Sequence, residues 1–368
     1  MLRVALVFGG RSGEHEVSVV SARSVAAALA AERFEVVPMA IDRAGRWADA
    51  ATARRVLENS GDRADQVQGF DGSARLDPRL LDGGVDVVMP VLHGPFGEDG
   101  TIQGLCEMLD LPYTGCAVAA AAVTMDKVLT KRVFLQVGLP TPRFVAVTAR
   151  ELSMARESCE RRCLELPLPL FVKPSRLGSS VGISKVKSAE ALGAALDGAL
   201  AYDDVAVVEE GVPAREIEVA VLGSDPLLAS VPGEVVPGHE FYDYGDKYLD
   251  DACQLLAPAP LDAGQSETVR DLAVRAFSAL GCEGMARVDF LLDRRDGRFL
   301  LNEVNATPGF TAISMYPRLL ALTGVPYPRL VANLVELALA RHERRQRYAA
   351  AALRPFAQRT STRPEGGG

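Results

Sequence analysis

Apolar residues occur in short runs parted by glycine-rich or charged turns, with stretches of helical period between them. Residues 2–8 (LRVALVF) read as a buried strand ending in GGRSGEHEVS. A helix follows, with Ser18 as its N-cap and Val19, Val20, Ala22 and Val25 on its buried side. Strand, glycine turn and helix suggest the first unit of a doubly wound, parallel-sheet domain. Residues 34–41 give a second strand. Residues 85–92 (VDVVMPVL) give a third, which runs into HGPFGEDGTIQG and a helix over 100–109. Residues 43–82 are polar and weakly patterned, an insertion or an extended crossover in which Trp47 is assigned to packing.

A new pattern starts after LPYTG (111–115). Thr124 is placed as N-cap of MDKVLTKRVFLQVG, with Val128, Phe134 and Leu135 on a helical stripe and Gly138 closing it. From LPTPRFVAV an α+β unit begins. In LPLFVKPSRLGSSVGISKV (168–186) an apolar strand ends at Lys173, and a Gly/Ser loop leads back to another strand. VAVVEE (205–210) and EIEVAVL follow as buried strands. Residues 239–254 (HEFYDYGDKYLDDACQ) lack a period and read as an ordered loop, a length of irregular chain that is often functional. A helix capped at Ser266 closes on Gly281. Pro328 starts a last helix with Leu330, Leu334 and Leu337 on one side, and RHERRQR with the tail from about Ala349 is expected to be solvated.

Between the last two helices lies the stretch richest in chemistry. ARVDFLL (286–292) reads as one strand and FLLNEVNATPGFT (299–311) as a second that runs into a Pro-Gly turn, the two joined by the turn DRRDG. Alternation puts Arg287 and Asp289 on one face of the first, and Leu301, Glu303 and Asn305 on one face of the second. Folding about Arg295 and Asp296 sets Asp289 opposite Glu303. Two carboxylates and an amide beside a fixed cation suit Mg²⁺ carrying phosphates. The same pair also reads as solvated edge charges ion-paired to Arg287; the apolar interleaving argues for the metal.

Elsewhere two readings stay open. Glu14 either receives an ammonium group or favours a helix N-terminus. His93, at a strand's C-terminal end, is either structural or part of a site. Lys127 in a first turn opposes the helix dipole unless an anion sits there. The loop after Lys173 is no Walker-type loop; it is either a plain hairpin loop or a flap over phosphates. Glu209 and Glu216 could accept hydrogen bonds from adenine and ribose.

Composition narrows the class. With 368 residues, 48% of them apolar, there is material for two or three domains. A net charge of −8 argues against a nucleic-acid surface. No apolar run approaches the roughly 18–20 residues that span a bilayer, and the N-terminus is too short and strand-like for a signal peptide. Six scattered cysteines, of which only Cys159 and Cys163 are close, support neither a zinc site nor a disulfide framework. A cytoplasmic protein with reduced thiols is expected. The missing G-x-G-x-x-G counts against a nicotinamide-dependent oxidoreductase, and the intact Arg287, Asp289, Glu303 and Asn305 set counts against a silent nucleotide binder.

Seven motifs stand in order: GGRSGEHEVS, LHGPFGEDGTIQG, MDK, KPSRLGSSVG, EFYDYGDKY, ARVDF and NEVNATPGFTAISMYP. Together they resemble the D-alanine–D-alanine ligase family of ATP-grasp carboxylate–amine ligases, from Val4 to about Leu339. The resemblance implies an α/β and α+β chain with a three-domain ATP-grasp fold. Its parts would be an N-terminal doubly wound, substrate-binding domain (1–120), a central lid (121–209), a catalytic domain (210–348) and a disordered tail (349–368). It also implies two D-alanines and ATP as substrates, a homodimer, and two Mg²⁺ ions, or Mn²⁺, held by Asp289, Glu303 and Asn305. Lys127, Lys173, Lys247, Ser179 and Ser180 would meet the ATP phosphates, and Glu209, Glu210, Val212 and Glu216 the adenine and ribose. Glu14 would take the ammonium of the first D-alanine, with His93 near its carboxylate. Tyr248, Ser179 and Glu14 would form a latch. Arg287 and the Gly309 N–H would stabilise an oxyanion, and Ser314 would hold the acceptor beside Met315. YDYGDKY resembles dipeptide-forming members, so D-alanine is the expected acceptor, with D-serine or D-lactate as the alternative.

Overall fold

Three sheets organise the chain, and each follows from a different kind of apolar run. The computed structural model describes residues 1–59, 67, 69–179, 181–236 and 254–352. The first sheet is parallel and holds β1 (Arg3–Gly9), β2 (Glu35–Ile41) and β3 (Val87–Pro90) in the order β2-β1-β3. After the opening Arg3 and Glu35 its strands carry no polar side chain, because both faces are covered. Val4, Leu6 and Phe8 enter one core, Ala5 and Val7 another. The helix α1 (His15–Ala31) links β1 to β2, and α2 (Ala50–Asn59) lies between β2 and β3.

Residues 43–82 belong to that second connection, and their described part is well tied. Trp47 is buried and bridges Ile41 and Ala74. The Asp42 carboxylate accepts from the N–H groups of Ala44, Arg46 and Gly72. Ser18 does not cap α1, which begins three residues earlier. Its hydroxyl instead accepts from Gly9 N–H at 2.8 Å and donates to the Val91 carbonyl, tying the end of β1 to the end of β3. Following β3, α3 (Thr101–Met108) leads to α4 (Val118–Met125) and α5 (Lys127–Gln136).

The cap of α5 is Asp126, which accepts from the N–H groups of Val128 and Leu129. Thr124 stands at the end of α4, where its hydroxyl bonds back to the Ala120 carbonyl. A residue that close to a strong acid loses the cap to it. Leu135 is 59% exposed and leaves the stripe, whose buried members are Val128, Thr130, Lys131 and Phe134. The boundary expected at 120 falls inside α4.

The second sheet is antiparallel, order β4-β7-β5-β6, from β4 (Phe144–Thr148), β5 (Leu170–Pro174), β6 (Ser184–Val186) and β7 (Val205–Glu210). α6 (Ala149–Cys163) and α7 (Leu192–Leu200) cover it with a core of their own, including Leu152, Leu170, Val172, Leu196 and Val208. The third sheet, also antiparallel, contains β8 (Ala214–Gly223), β9 (Leu227–Ala229), β10 (Gly233–Val236), β11 (Gln254–Leu256), β12 (Gly284–Asp293) and β13 (Phe299–Asn305). Its order is β11-β10-β8-β12-β13, with β9 beside β8.

One face of the third sheet packs on α4, α5 and α8 (Ala263–Ala279) through Phe134, Phe277, Phe290 and Leu301. α8 starts before Ser266, because Asp262 forms a capping box with Gln265. The other face meets α9 (Met315–Leu322) and α10 (Tyr327–Ala352), and there its core is continuous with that of the first sheet. Val4, Leu6, Phe8 and Met89 share it with Ala220, Leu222, Tyr316 and Leu334. α10 runs through RHERRQR rather than ending before a solvated tail. Arg341 is buried and donates to the carbonyls of Tyr113 and Gly115.

The β12–β13 hairpin breaks regular alternation. Asp289 pairs with Glu303, but Phe290 pairs with Leu301, so Asn302 is an extra, bulged residue. A bulge shifts the phase of the side chains. Leu301 therefore points into the core with Phe290 and Val304, and does not share the face of Glu303 and Asn305.

Candidate active site

A cavity of about 700 Å³ opens between the second and third sheets. Its wall brings together Lys127, Lys173, Glu209, Glu210, Val212, Glu216, Arg287, Asp289 and Glu303, which are scattered along the sequence from 127 to 303.

Arg287 and Asp289 point into it from β12. The guanidinium holds Asp289 through two hydrogen bonds of 2.7 Å, Nε to Oδ1 and Nη2 to Oδ2. Glu218, opposite on β8, lies 3.2 Å from Nε. Burial works against the charge on Arg287, yet Asp289 and Glu218 outweigh it and hold the guanidinium well above its ordinary value. This is a permanent cation in a fixed orientation. Asn305, paired with Arg287 across the ladder, donates Nδ2–H to Asp289 Oδ2 at 2.8 Å.

The second sheet supplies Lys173, whose ammonium meets Glu209 at 2.8 Å and the bulged Asn302 at 3.5 Å. Glu209 is buried and its other oxygen pairs with Lys131 at 3.0 Å. Burial alone would raise this carboxyl; the two lysines outweigh it and hold it at about 2. Removing an ion from water costs several kcal/mol, so such a group persists only when paired on both sides. Burial disfavours the Lys131 charge and Lys173 repels it, and its pKa is lowered despite Glu209. Lys173 also resists burial, but Glu209 and Glu303 hold its pKa up. Lys131 was not singled out from the sequence. The available signal was its i,i+4 spacing from Lys127, which puts both on one helix face.

Lys127 donates to the Leu177 carbonyl at 2.8 Å and stands 3.7 Å from Glu303. Glu210 accepts from Arg143 N–H at 3.0 Å. Ser179, in the Gly/Ser loop, adopts φ +52° and donates its hydroxyl hydrogen to Glu14. Ser180, Lys247 and Tyr248 lie outside the described residues, as does nearly all of the loop expected over 239–254.

His93 is buried at the end of β3. Its Nδ1–H donates to the Thr307 carbonyl at 3.2 Å, which joins the first domain to the turn after β13. Burial lowers its pKa, with Glu14 pulling the other way, so the ring is neutral. Glu98, which the sequence reading passed over inside HGPFGEDG, accepts from Gly94 N–H at 2.9 Å. Burial, reinforced by Glu14, pushes its carboxyl up to about 8. Ser314 accepts from Thr311 N–H at 3.2 Å near Gly309, where an added Cβ would come 3.4 Å from the Ser314 hydroxyl. Met315 is buried in the shared core, against Gly233.

The donors Asp289, Glu303 and Asn305 fit a hard divalent ion in kind. Among the described residues no three His, Cys, Asp or Glu side chains are gathered around one point. Two carboxylates and one amide leave the remaining positions to phosphate oxygens and water, which is the habit of Mg²⁺. Asn305 presents its N–H to Asp289, so its amide must turn over to offer Oδ1.

Comparison with known proteins gives a consistent answer. A family model described as "D-ala D-ala ligase N-terminus" matches residues 3–116, and one described as "D-ala D-ala ligase C-terminus" matches 133–336. The "D-alanine--D-alanine ligase A" of Bradyrhizobium diazoefficiens is 48% identical over 94% of this chain and 97% of its own length. The D-alanine--D-alanine ligase of Heliobacterium modesticaldum is 46% identical, with 94% and 97% covered. Among solved structures, the D-alanine-D-alanine ligase from Coxiella burnetii superposes with a TM-score of 0.79 at 34% identity, covering 95% of this chain and 97% of that one. The VanG D-Ala:D-Ser ligase from Enterococcus faecalis gives 0.76 at 32% identity, with 92% and 99% covered.

Proposed function

We propose that this chain, which belongs to the D-alanine–D-alanine ligase family, joins two D-alanines into D-alanyl-D-alanine as a step of peptidoglycan precursor synthesis. ATP is cleaved to ADP and phosphate in the reaction. The observation that carries this reading best is the meeting, in one cleft, of Lys127 and Lys173 with Arg287, Asp289 and Glu303.

A carboxylate is a poor electrophile, so the first D-alanine attacks the γ-phosphorus with one carboxylate oxygen. The bond to the ADP oxygen breaks and an acyl phosphate forms. Positioning and charge carry most of such a transfer. Lys127 and Lys173 face the phosphates, Ser179 and Ser180 close over them, and Lys247 joins them from beyond the described residues. Asp289, Glu303 and Asn305 hold two Mg²⁺ ions, with Mn²⁺ as substitute, and when bound these neutralise phosphate charge. Glu209, Glu210, Val212 and Glu216 form the adenine and ribose end. Glu14 takes the donor ammonium, His93 lies by the donor carboxylate, and Tyr248 completes a latch with Ser179 and Glu14.

The amine of the second D-alanine then attacks the acyl carbon, and phosphate leaves with its electron pair. Arg287, already fixed and charged, and the Gly309 N–H stabilise the tetrahedral oxyanion. One such donor contributes roughly 3–4 kcal/mol. Ser314, beside Met315, holds the acceptor carboxylate. The site works best dry, since water would hydrolyse the acyl phosphate. The protein acts as a cytoplasmic homodimer; no helix among the described residues is long and apolar enough to cross a membrane.

A second reading keeps the chemistry and changes the acceptor to D-serine or D-lactate, and likeness to the E. faecalis D-Ala:D-Ser ligase favours testing it. The experiment is phosphate release from ATP with Mg²⁺ and D-alanine, with mass analysis of the product. D-alanyl-D-alanine is expected, and L-alanine should give nothing. Phosphate release only on adding D-serine or D-lactate would move the acceptor assignment. No turnover with any of them would overturn the reading.

A further inference from the structure

Lys131 is among the largest side chains in the molecule that are wholly buried. Lysine is almost never found so deep without a charged partner, and here its surroundings reach both walls of the cleft. On one side it pairs with Glu209 at 3.0 Å, and the other oxygen of Glu209 holds Lys173 at 2.8 Å. One carboxylate thus serves two ammonium groups, leaving the trio with a surplus positive charge. On the other side Lys131 donates to Thr141 Oγ1 at 2.9 Å, and that hydroxyl donates to the Leu301 carbonyl at 2.8 Å. Leu301 N–H in turn bonds the Pro140 carbonyl at 2.8 Å. Residues 140 and 141 therefore grip both backbone groups of Leu301, the residue next to the bulge at Asn302. That bulge sets Glu303 opposite Asp289 and Asn302 within reach of Lys173.

We infer that Lys131 is a positioning residue of the nucleotide site, holding Lys173 on one sheet and the bulged strand of Glu303 on the other in a single buried network. The inference rests on the proposed use of this cleft for ATP. It adds that the surplus charge keeps Lys173 available to phosphate, because Glu209 is shared. Were Lys131 apolar, Glu209 would belong to Lys173 alone, and the cation facing the phosphates would be neutralised at its base.

Lys131→Met keeps the approximate volume and removes the charge. Thr141→Val keeps the ion pairs of the Glu209 trio and removes the hydroxyl that links Lys131 to the Leu301 carbonyl. ATP binding is measured by calorimetry with ATP alone, in chelator and without D-alanine, and the Michaelis constants for ATP and D-alanine are measured in the turnover assay. Lys131→Met should weaken ATP binding and raise its KM by roughly tenfold, a loss typical of charge-assisted contacts. The KM for D-alanine should stay within about twofold, since the polar contacts of Lys131 are with Glu209 and Thr141 and not with Glu14 or His93. Thr141→Val should spare ATP binding in chelator but raise the Mg²⁺ concentration needed for half-maximal rate.

Unchanged ATP affinity in Lys131→Met, with only a lower unfolding midpoint, would overturn the positioning role and leave a structural ion pair. Equal shifts in every constant would overturn it too. If Lys131→Met does not fold, unchanged Mg²⁺ dependence in Thr141→Val overturns the role. Wild-type protein that binds ATP but turns over no D-amino acid would count against the proposed function and leave this inference standing.

Discussion

The hydroxyl of Ser179 donates a hydrogen bond to the carboxylate of Glu14 across 165 residues of chain. One is in the Gly/Ser loop after β5, the other in the turn before α1, so the contact fastens the second unit to the first. A hydrogen bond to a charged group contributes about 1.5–3 kcal/mol. Ser179→Ala is expected to raise the KM for the donor D-alanine roughly tenfold, with the KM for ATP changing less. Ser179→Gly should share that defect at a smaller cost in stability than Ser179→Ala, because φ +52° suits glycine. A donor KM unaltered in both variants would sink the assignment.

Asp289 and Glu303 face each other across the ladder but differ in what depends on them. Arg287 is held mainly by Asp289, so Asp289→Asn should cost about 2–4 kcal/mol of stability as well as activity. Glu303 is partly exposed and 3.7 Å from Lys127. Glu303→Gln should therefore change stability by less than about 1 kcal/mol while lowering the rate at least as far. Urea midpoints beside turnover rates separate the two; equal stability losses would contradict the geometry.

Two glutamates, Glu98 half-buried and Glu209 buried, should answer pH in opposite ways. Glu98 is raised from 4.5 to about 8, so its contribution is full below about pH 4.5 and is lost as pH rises through about 8. Glu98→Gln keeps the acceptor for Gly94 N–H and cannot ionise. It should match the wild type in urea at pH 4.5 and outlast it at pH 8.5. Glu209 is lowered from 4.5 to about 2, so its contribution is present above about 4.5 and is lost as pH falls through about 2. Lys131→Met removes one of the cations holding it down, and acid loss of stability should begin nearer the ordinary carboxylate range. Parallel pH profiles for wild type and both variants would contradict these assignments.

Arg341 donates to the carbonyls of Tyr113 and Gly115 and lies over the Tyr113 ring, 4.3 Å from its centroid. Arg341→Met would leave buried carbonyls without donors. Stability should fall by about 2–4 kcal/mol, with the Michaelis constants unchanged. Chemical denaturation and steady-state kinetics on the same sample test both halves.

Period and turn chemistry located the strands well: 205–210 was delimited to the residue, β1 and β2 within one residue at each end, and β3 within two, while the end of β13 was left open. The pairing of Asp289 with Glu303 was legible because a short turn fixes register. What failed were competitions between near neighbours. Ser18, Thr124 and Ser266 each look like caps, but Asp126 and Asp262 are stronger acceptors nearby, and the turn at Gly13 and Glu14 starts α1 before Ser18. The bulge at Asn302 has no mark in the sequence; beside it residues 140 and 141, distant in the chain, bond both backbone groups of Leu301. Burial of Arg341 was illegible for a related reason, because only the fold brings α10 against Tyr113 and Gly115. Glu98 and Lys131 became visible as site residues only once burial was known.

The core common to the first and third sheets has a consequence for the order in which the protein can be made. Strands β1 and β3 are near the start of the chain, and α1 covers part of one face of them, yet the rest of that cover runs from Phe310 to Ala338. A ribosome emits the N-terminal end first and at a finite pace. On that face the first sheet therefore has only α1, through Val19, Ala22, Val25 and Leu29, over Val4, Leu6 and Phe8 until nearly the whole chain has emerged. The second sheet, whose core is drawn from residues 147–208 alone, can close long before. The nascent protein would thus acquire its middle before its beginning.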